Sequence, residues 1–241
     1  MTWNWAIFWS LLKDFDFLSA AWTTVWVAAA AELGGVILGL TVAVIRLSRF
    51  RWLGTVTDLY VWAWRGSPLL VQLLLIYFGL PEIGIRLSVV TAGLVGLTLN
   101  EGAFMSVIMG AGLSSVSAGQ RDAARSLGLS SWQMLRFVEL PQAARVVVPA
   151  LGNQFNSMMK TTALLSVISF SELLRYANQI VANTYRPLEA FAVAALYYLA
   201  MSSIWGLIQA EIEARLAVGS GRKGPLGYVR GAIGRAIALG P

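Results

Sequence analysis

The chain has 241 residues, 57% of them apolar and only 12% charged, with 18 lysines and arginines against 12 acids for a formal charge of +6. It contains no cysteine and no histidine, which excludes disulfides and thiolate metal sites and removes the commonest general base and metal ligand. The apolar residues fall in blocks too long for soluble helices, so the chain reads as all-α and polytopic, and its basic excess as topology and lipid headgroups rather than nucleic acid.

In chain order, residues 1–19 come first, and their first positive charge is Lys13, behind Trp3, Trp5 and Trp9. That order lacks the basic start of a secretory leader and reads as an interfacial aromatic segment. A transmembrane domain over residues 20–215 follows. Five blocks within it are long enough to cross roughly 30 Å of hydrocarbon, which takes about 20 helical residues. They cover residues 20–45, 59–80, 87–113, 146–170 and 190–210. In lipid each backbone polar group must be satisfied within its own segment, so all five are predicted as helices. Residues 216–241 form a basic tail.

Orientation follows from lysine and arginine. One side collects Arg46, Arg49, Arg51, Arg121, Arg125, Arg136, Arg145, Arg215, Arg222, Lys223, Arg230 and Arg235; the other has only Lys13, Arg86, Arg175 and Arg186. The bias places the N-terminus outside and the C-terminus in the cytoplasm.

The connection between the third and fourth blocks, residues 114–145, is therefore cytoplasmic, and it carries helix signals of its own. Ser117 and Gln120 have the spacing of a capping box, Asp122 suits a first turn, and Gly128 can close the helix. Ser130 with Gln133 repeats the spacing, and Pro141 sets the predicted end of a second helix near Leu140. Ala123 and Ala124 allow a close approach, and Gly128 permits a sharp turn. An amphipathic connector lying on the bilayer fits the same signals.

Polar residues inside the blocks are the other informative set, since an ionisable group there costs at least about 2.5 kcal/mol on insertion scales and faces a cavity or a partner. They are Glu32, Arg65, Asn100, Glu101, Asn153, Gln154, Asn156 and Lys160. Arg65 precedes Pro68, which weakens the helix, and reads as a structural residue bonding the freed carbonyls. Asn100, Glu101, Asn153, Gln154 and Lys160 are candidates to line a midplane path for a zwitterion, with Glu101 toward an ammonium and Lys160 toward a carboxylate. For Lys160 the alternative is a tie to neighbouring carbonyls. None of the three lysines, Lys13, Lys160 and Lys223, lies in a GxxxxGK[ST] phosphate loop, so no ATP site is expected in this chain.

The run Ala118-Gly119-Gln120-Arg121-Asp122-Ala123-Ala124-Arg125-Ser126-Leu127-Gly128, continued by Glu139-Leu140-Pro141-Gln142-Ala143, resembles the EAA loop of ABC-importer permeases in their polar amino-acid, histidine-permease-like form. Arg65-Gly66-Ser67-Pro68-Leu69-Leu70, Asn100-Glu101-Gly102-Ala103-Phe104 and Pro149-Ala150-Leu151-Gly152-Asn153 agree with that family in the same order. Asp122 stands where the family usually has glutamate.

The resemblance implies the type I ABC importer fold and a permease subunit that makes and breaks no bond. The loop residues Gly119, Gln120, Asp122, Ala123, Ala124, Leu127, Gly128 and Pro141 would dock on a dimer of cytoplasmic ATPases, which bind ATP and Mg; this chain needs no cofactor. A second permease subunit and an extracytoplasmic substrate-binding protein complete the expected assembly, in the inner membrane. The family usually carries charges where this chain has Val107, Gly110, Gln154 and Thr161, and that departure favours a heterodimer whose other permease supplies the principal substrate contacts over a homodimer in which Asn100, Glu101, Gln154 and Lys160 serve a neutral or acidic substrate.

Overall fold

The computed structural model describes residues 3–46 and 51–216. Arg49 and residues 217–241, which include nearly all of the expected basic tail, lie outside the described residues. The described chain is helical. Its α-helices in order are α1 (Trp5–Leu12), α2 (Phe15–Arg46), α3 (Arg51–Gly66), α4 (Leu69–Leu74), α5 (Leu80–Glu82), α6 (Val89–Ser114), α7 (Ala118–Ser126), α8 (Ser131–Met134), α9 (Leu140–Thr161), α10 (Leu173–Thr184) and α11 (Pro187–Leu216). A π-turn joins α4 to α5 over Leu75–Gly79, a second joins α8 to α9 over Leu135–Glu139, and a 3-10 helix over Thr162–Ile168 extends α9.

Among the described residues three helices are long and apolar enough to cross a membrane: α2, α6 and α11. They overlie the first, third and fifth predicted blocks. The second block is not one straight helix, because Trp52–Gly66 and Leu69–Glu82 meet at a bend of 105°. Pro68 has no N–H to continue the ladder and sits extended at ψ 133° as the N-cap of α4, so the helix breaks at Ser67-Pro68. The fourth block is α9 with its 3-10 extension, whose hydropathy Asn153, Gln154, Asn156 and Lys160 pull down. The expected stop at Pro141 is corrected: the chain stays helical through the π-turn, and Pro141 is the second residue of α9. There its missing N–H is tolerated, as it is in any first helical turn.

The chain divides into two compact units, residues 1–107 with 154–201, and residues 108–153 with 202–241. In the first unit Phe8, Phe17, Ala20, Leu173, Ala177 and Val193 are among the buried residues of a core joining α1, α2, α10 and α11. Phe17 lies edge-on to Tyr176 at 4.9 Å and stacks on Tyr197 at 5.9 Å. The tyrosine hydroxyls then leave the apolar cluster for polar partners: Tyr176 donates to Asp14 at 2.8 Å and Tyr197 to the carbonyl of Leu12 at 3.1 Å. Asn4 caps α1 with its side chain, and its own N–H donates to Glu189 of α11 at 2.8 Å. Glu172 caps α10, accepting from Leu174, Arg175 and the Tyr198 hydroxyl. Burial pushes its carboxyl above the usual carboxylate range, against those three bonds, which draw it down.

Helix α2 packs on α6 through small residues. Gly35 and Gly39, buried four residues apart on one face of α2, lie against Glu101 and Met105 of α6, which brings two backbones together where lipid supplies no hydrophobic drive between helices. A Cβ at Gly39 would collide with the Cβ of Met105, and one at Gly35 would lie 2.5 Å from the Cγ of Glu101.

In the second unit Gly112 of α6 faces Val147 of α9 with no room for a Cβ. Trp205 Nε1 donates to the Gly152 carbonyl at 2.8 Å. The Gln209 amide donates to the Pro149 carbonyl at 3.3 Å, to Asn153 at 3.2 Å and to Glu213 at 2.8 Å.

Gly39→Val should overpack the α2–α6 contact and cost about 1–3 kcal/mol, read as a lowered melting temperature and lower yield of monodisperse protein in detergent. Gly54→Ala, where a Cβ meets nothing within 4 Å, should leave both unchanged or improved.

Candidate functional site

The break in the second predicted span sets up the first unit's cavity. Ending α3 at Gly66 strands backbone carbonyls, and each needs a donor from within the protein. Gln72, 6% exposed, turns its amide back and donates to the Trp64 carbonyl at 2.8 Å, the Ser67 carbonyl at 3.1 Å and the Ser67 hydroxyl at 2.9 Å. Asn100 of α6 completes the arrangement, donating to the Trp64 carbonyl at 3.1 Å and to Gln72 Oε1 at 2.9 Å. The end of α3 is thus tied to α6 at the residue next to Glu101.

Beside this tie lies a cavity of about 370 Å³. It is lined by Arg65 and Ser67 at the break, Asn100, Glu101 and Phe104 on α6, and Gln154, Ser157 and Thr161 on α9, among others. Glu101 is 3% exposed. Its Oε2 receives a long bond of 3.4 Å from Gln154, and its Oε1 has no partner. The guanidinium of Arg65 lies over the Phe104 ring, 5.1 Å from the centroid. Glu32, one turn before Gly35 on α2, is outside the lining, and both of its carboxylate oxygens are buried without a partner.

Of the residues singled out in the sequence, the cavity brings together Asn100, Glu101 and Gln154. Lys160 is exposed and does not line it. Asn153 belongs to the second unit, where it accepts from Gln209. Sequence reasoning passed over Gln72, which looks like one more polar residue in an apolar block, although a glutamine four residues after a span-breaking proline is the signal for such a tie. It also read Arg65 as bonding carbonyls, a role that Gln72 and Asn100 perform.

The second unit holds the connection over residues 114–145 as a compact helix pair. Ser117 accepts from the Gln120 N–H, and Ser130 with Gln133 forms a reciprocal capping box. Gly128 closes α7 at φ +74°, a left-handed conformation that disfavours any side chain. Arg121 ties the pair inward, donating to Glu139 at 2.8 Å and to the Leu113 carbonyl at 2.9 Å. Ala124 is buried, Asp122 and Arg125 pair at the surface at 3.2 Å, and Gly119 and Gln120 are exposed. Leu127, Trp132 and Phe137 are 81%, 64% and 63% exposed, an unusual display of large apolar groups on one short segment. Among the described residues no group of three or more acidic side chains gathers to hold a metal.

Comparison with known proteins bears on both sites. Residues 35–218 match the family described as "Binding-protein-dependent transport system inner membrane component". The probable amino-acid ABC transporter permease protein YckA of Bacillus subtilis is 37% identical over 194 residues, covering 80% of this chain and 86% of that protein. The glutamine transport system permease protein GlnP of Escherichia coli is 31% identical over 220 residues, covering 90% of this chain and 100% of GlnP. Among solved structures, an amino acid ABC transporter crystallised with histidines superimposes with a TM-score of 0.82 at 38% identity, covering 89% of this chain and 100% of that one. An inward-facing MetNI methionine ABC transporter, at 19% identity and a TM-score of 0.70, shares the fold.

Gln72→Leu removes the donor to three acceptors at the break and one acceptor of Asn100, so it should destabilise the protein by roughly 1–3 kcal/mol. Thermal unfolding in detergent measures this; an unchanged melting temperature would mean that water satisfies the break instead.

Proposed function

The chain belongs to the family of binding-protein-dependent transport system inner membrane components, as an amino-acid ABC transporter permease, and from that premise we propose that it moves a polar amino acid inward, driven by ATP hydrolysed on a separate subunit. It is a multi-pass inner-membrane protein. The transport path has five spans, counting the bent pair and α9, with the N-terminus outside and the C-terminus in the cytoplasm, the arrangement that the distribution of lysine and arginine favours.

One observation carries the coupling half of this reading. The α7–α8 pair is held rigid by two serine caps and by Arg121, yet presents Leu127, Trp132 and Phe137 outward. A rigid element with exposed apolar groups suits seating in a cleft of another protein, where closure of two ATPases around ATP would move it as a body. Gly119, Gln120, Asp122, Ala123, Ala124, Leu127, Gly128 and Pro141 are the coupling residues, and ATP and Mg belong to the partner. An extracytoplasmic binding protein delivers the substrate.

The permease pair is a heterodimer in this reading, on the strength of the uncharged Val107, Gly110, Gln154 and Thr161. Its working complex holds two permease chains and two ATPases, and a native mass measurement should return that stoichiometry. An active complex built with this permease alone would refute the heterodimer.

Gly128→Val forces a β-branched residue into the left-handed region, at a cost of about 1–2 kcal/mol, and Asp122→Arg reverses a charge on the docking face. Each should abolish uptake into vesicles with trapped ATP, and substrate stimulation of the ATPase, while leaving membrane insertion intact. Wild-type rates in both variants would remove the loop from the coupling role, and uptake without nucleotide would indicate a secondary transporter.

A further inference from the structure

Arg65 and Glu101 line one cavity and are not paired with each other. Among the described residues no carboxylate lies within ion-pair distance of Arg65, and Glu101 has one oxygen without a donor and a long bond on the other. Arg65 is exposed and Glu101 is buried, and a buried carboxylate kept purely for structure would be expected to have drawn the neighbouring cation to itself, since an uncompensated buried charge is costly. We propose that these two side chains are the charged poles of an amino-acid site, Arg65 for the α-carboxylate and Glu101 for the α-ammonium, and that the occupant's side chain carries no net charge.

This proposal rests on the permease reading and deepens it. The Phe104 ring holds the Arg65 guanidinium by a cation–π contact, and with no carboxylate bonded to it the group has N–H donors to offer a ligand carboxylate. The separation of the poles is fixed as well. Arg65 follows Trp64, whose carbonyl takes bonds from Gln72 and Asn100, and Asn100 precedes Glu101 on α6. The residues next to the two poles are therefore bonded to each other, so the two backbone segments that carry the charges are held together.

The rest of the lining decides the substrate class. Ser67, Ser157, Thr161 and Gln154 offer hydroxyls and an amide, and no third charged side chain lines the cavity. A lysine or arginine substrate would bring a second cation to a site whose one carboxylate already holds the ammonium, and an aspartate or glutamate would bring a second anion. Either extra charge would enter without a counter-ion. A neutral polar side chain finds hydrogen-bond partners, and the volume of about 370 Å³ falls in the range of roughly 300–1,000 Å³ typical of small-molecule sites. Both poles sit on this chain, so the principal contacts need not come from the other permease, and Lys160, which does not line the cavity, is not the carboxylate anchor.

Isothermal titration of the complete transporter in nanodiscs counts sites as well as weighing them. The probes are L-glutamine, L-asparagine, L-serine, L-glutamate and L-arginine, together with the α-carboxamide of whichever neutral amino acid binds tightest. On the wild type, a neutral amino acid should bind at least roughly tenfold more tightly than L-glutamate, L-arginine and its own carboxamide, the size expected when a charge-assisted bond is lost. Arg65→Met should weaken the neutral amino acid at this chain's sites by about tenfold or more and leave its carboxamide almost unchanged, so that the two converge. Arg65→Lys should restore part of the difference, and it stands in if the methionine variant fails to assemble. Equal binding of L-arginine or L-glutamate, or a carboxylate preference that survives Arg65→Met, would overturn the proposal and leave the permease reading standing. A wild-type complex that binds none of the probes and shows no ATP-driven amino-acid uptake would overturn both.

Discussion

A helix interrupted in hydrocarbon leaves carbonyls that no solvent will satisfy, and how the protein answers that demand organises the first unit. Pro68 ends one helical run and starts another at a bend of 105°. The amides of Gln72 and Asn100 take up the stranded groups. The break and its repair place a cation and a carboxylate around one space without neutralising them. Irregular backbone at membrane depth is tolerated only where protein or a cavity covers it, and here the same few residues do both.

Close packing of α2 on α6 serves the same end by steric means. Gly35 lets the stem of Glu101 lie against the α2 backbone, and Gly39 does so for Met105. A larger residue at position 35 would push Glu101 along or away from the cavity, so part of the geometry of a polar site is set by a residue with no side chain. Helix–helix contact through small residues gives a van der Waals return only where the backbones are near. That makes the position of Glu101 insensitive to the long apolar side chains nearby.

Much of the architecture was legible because apolar length is a strong signal in a membrane chain. The first, third and fifth blocks became α2, α6 and α11 with ends shifted by a few residues. Both serine caps of the α7–α8 pair were readable from spacing alone, and so was the turn at Gly128. Where reading failed, a local rule had two outcomes that tertiary context decided. Pro141 can end a helix or sit in the first turn of the next, and the π-turn before it selected the second. Pro68 was visible, but the angle it produces depends on Gln72 and Asn100, which are 28 residues apart in sequence. Lys160 drew attention through its charge, yet helical phase turned it out of the lining, whereas Arg65 was read as bonding the carbonyls freed by Pro68, and those carbonyls have Gln72 and Asn100 as donors instead.

The tether of α1 has a consequence in time. Its capping residue Asn4 bonds Glu189 across 185 residues of chain, and Leu12 bonds Tyr197 across the same separation. At roughly 5–20 residues per second of synthesis, about nine to forty seconds pass between the emergence of the first partner and the last. Throughout that interval the short aromatic helix, with Trp5 and Trp9 exposed, lacks the partners that α11 supplies. The membrane interface is where tryptophan rings rest well, so the bilayer acts as a waiting place for the beginning of the chain until its end arrives.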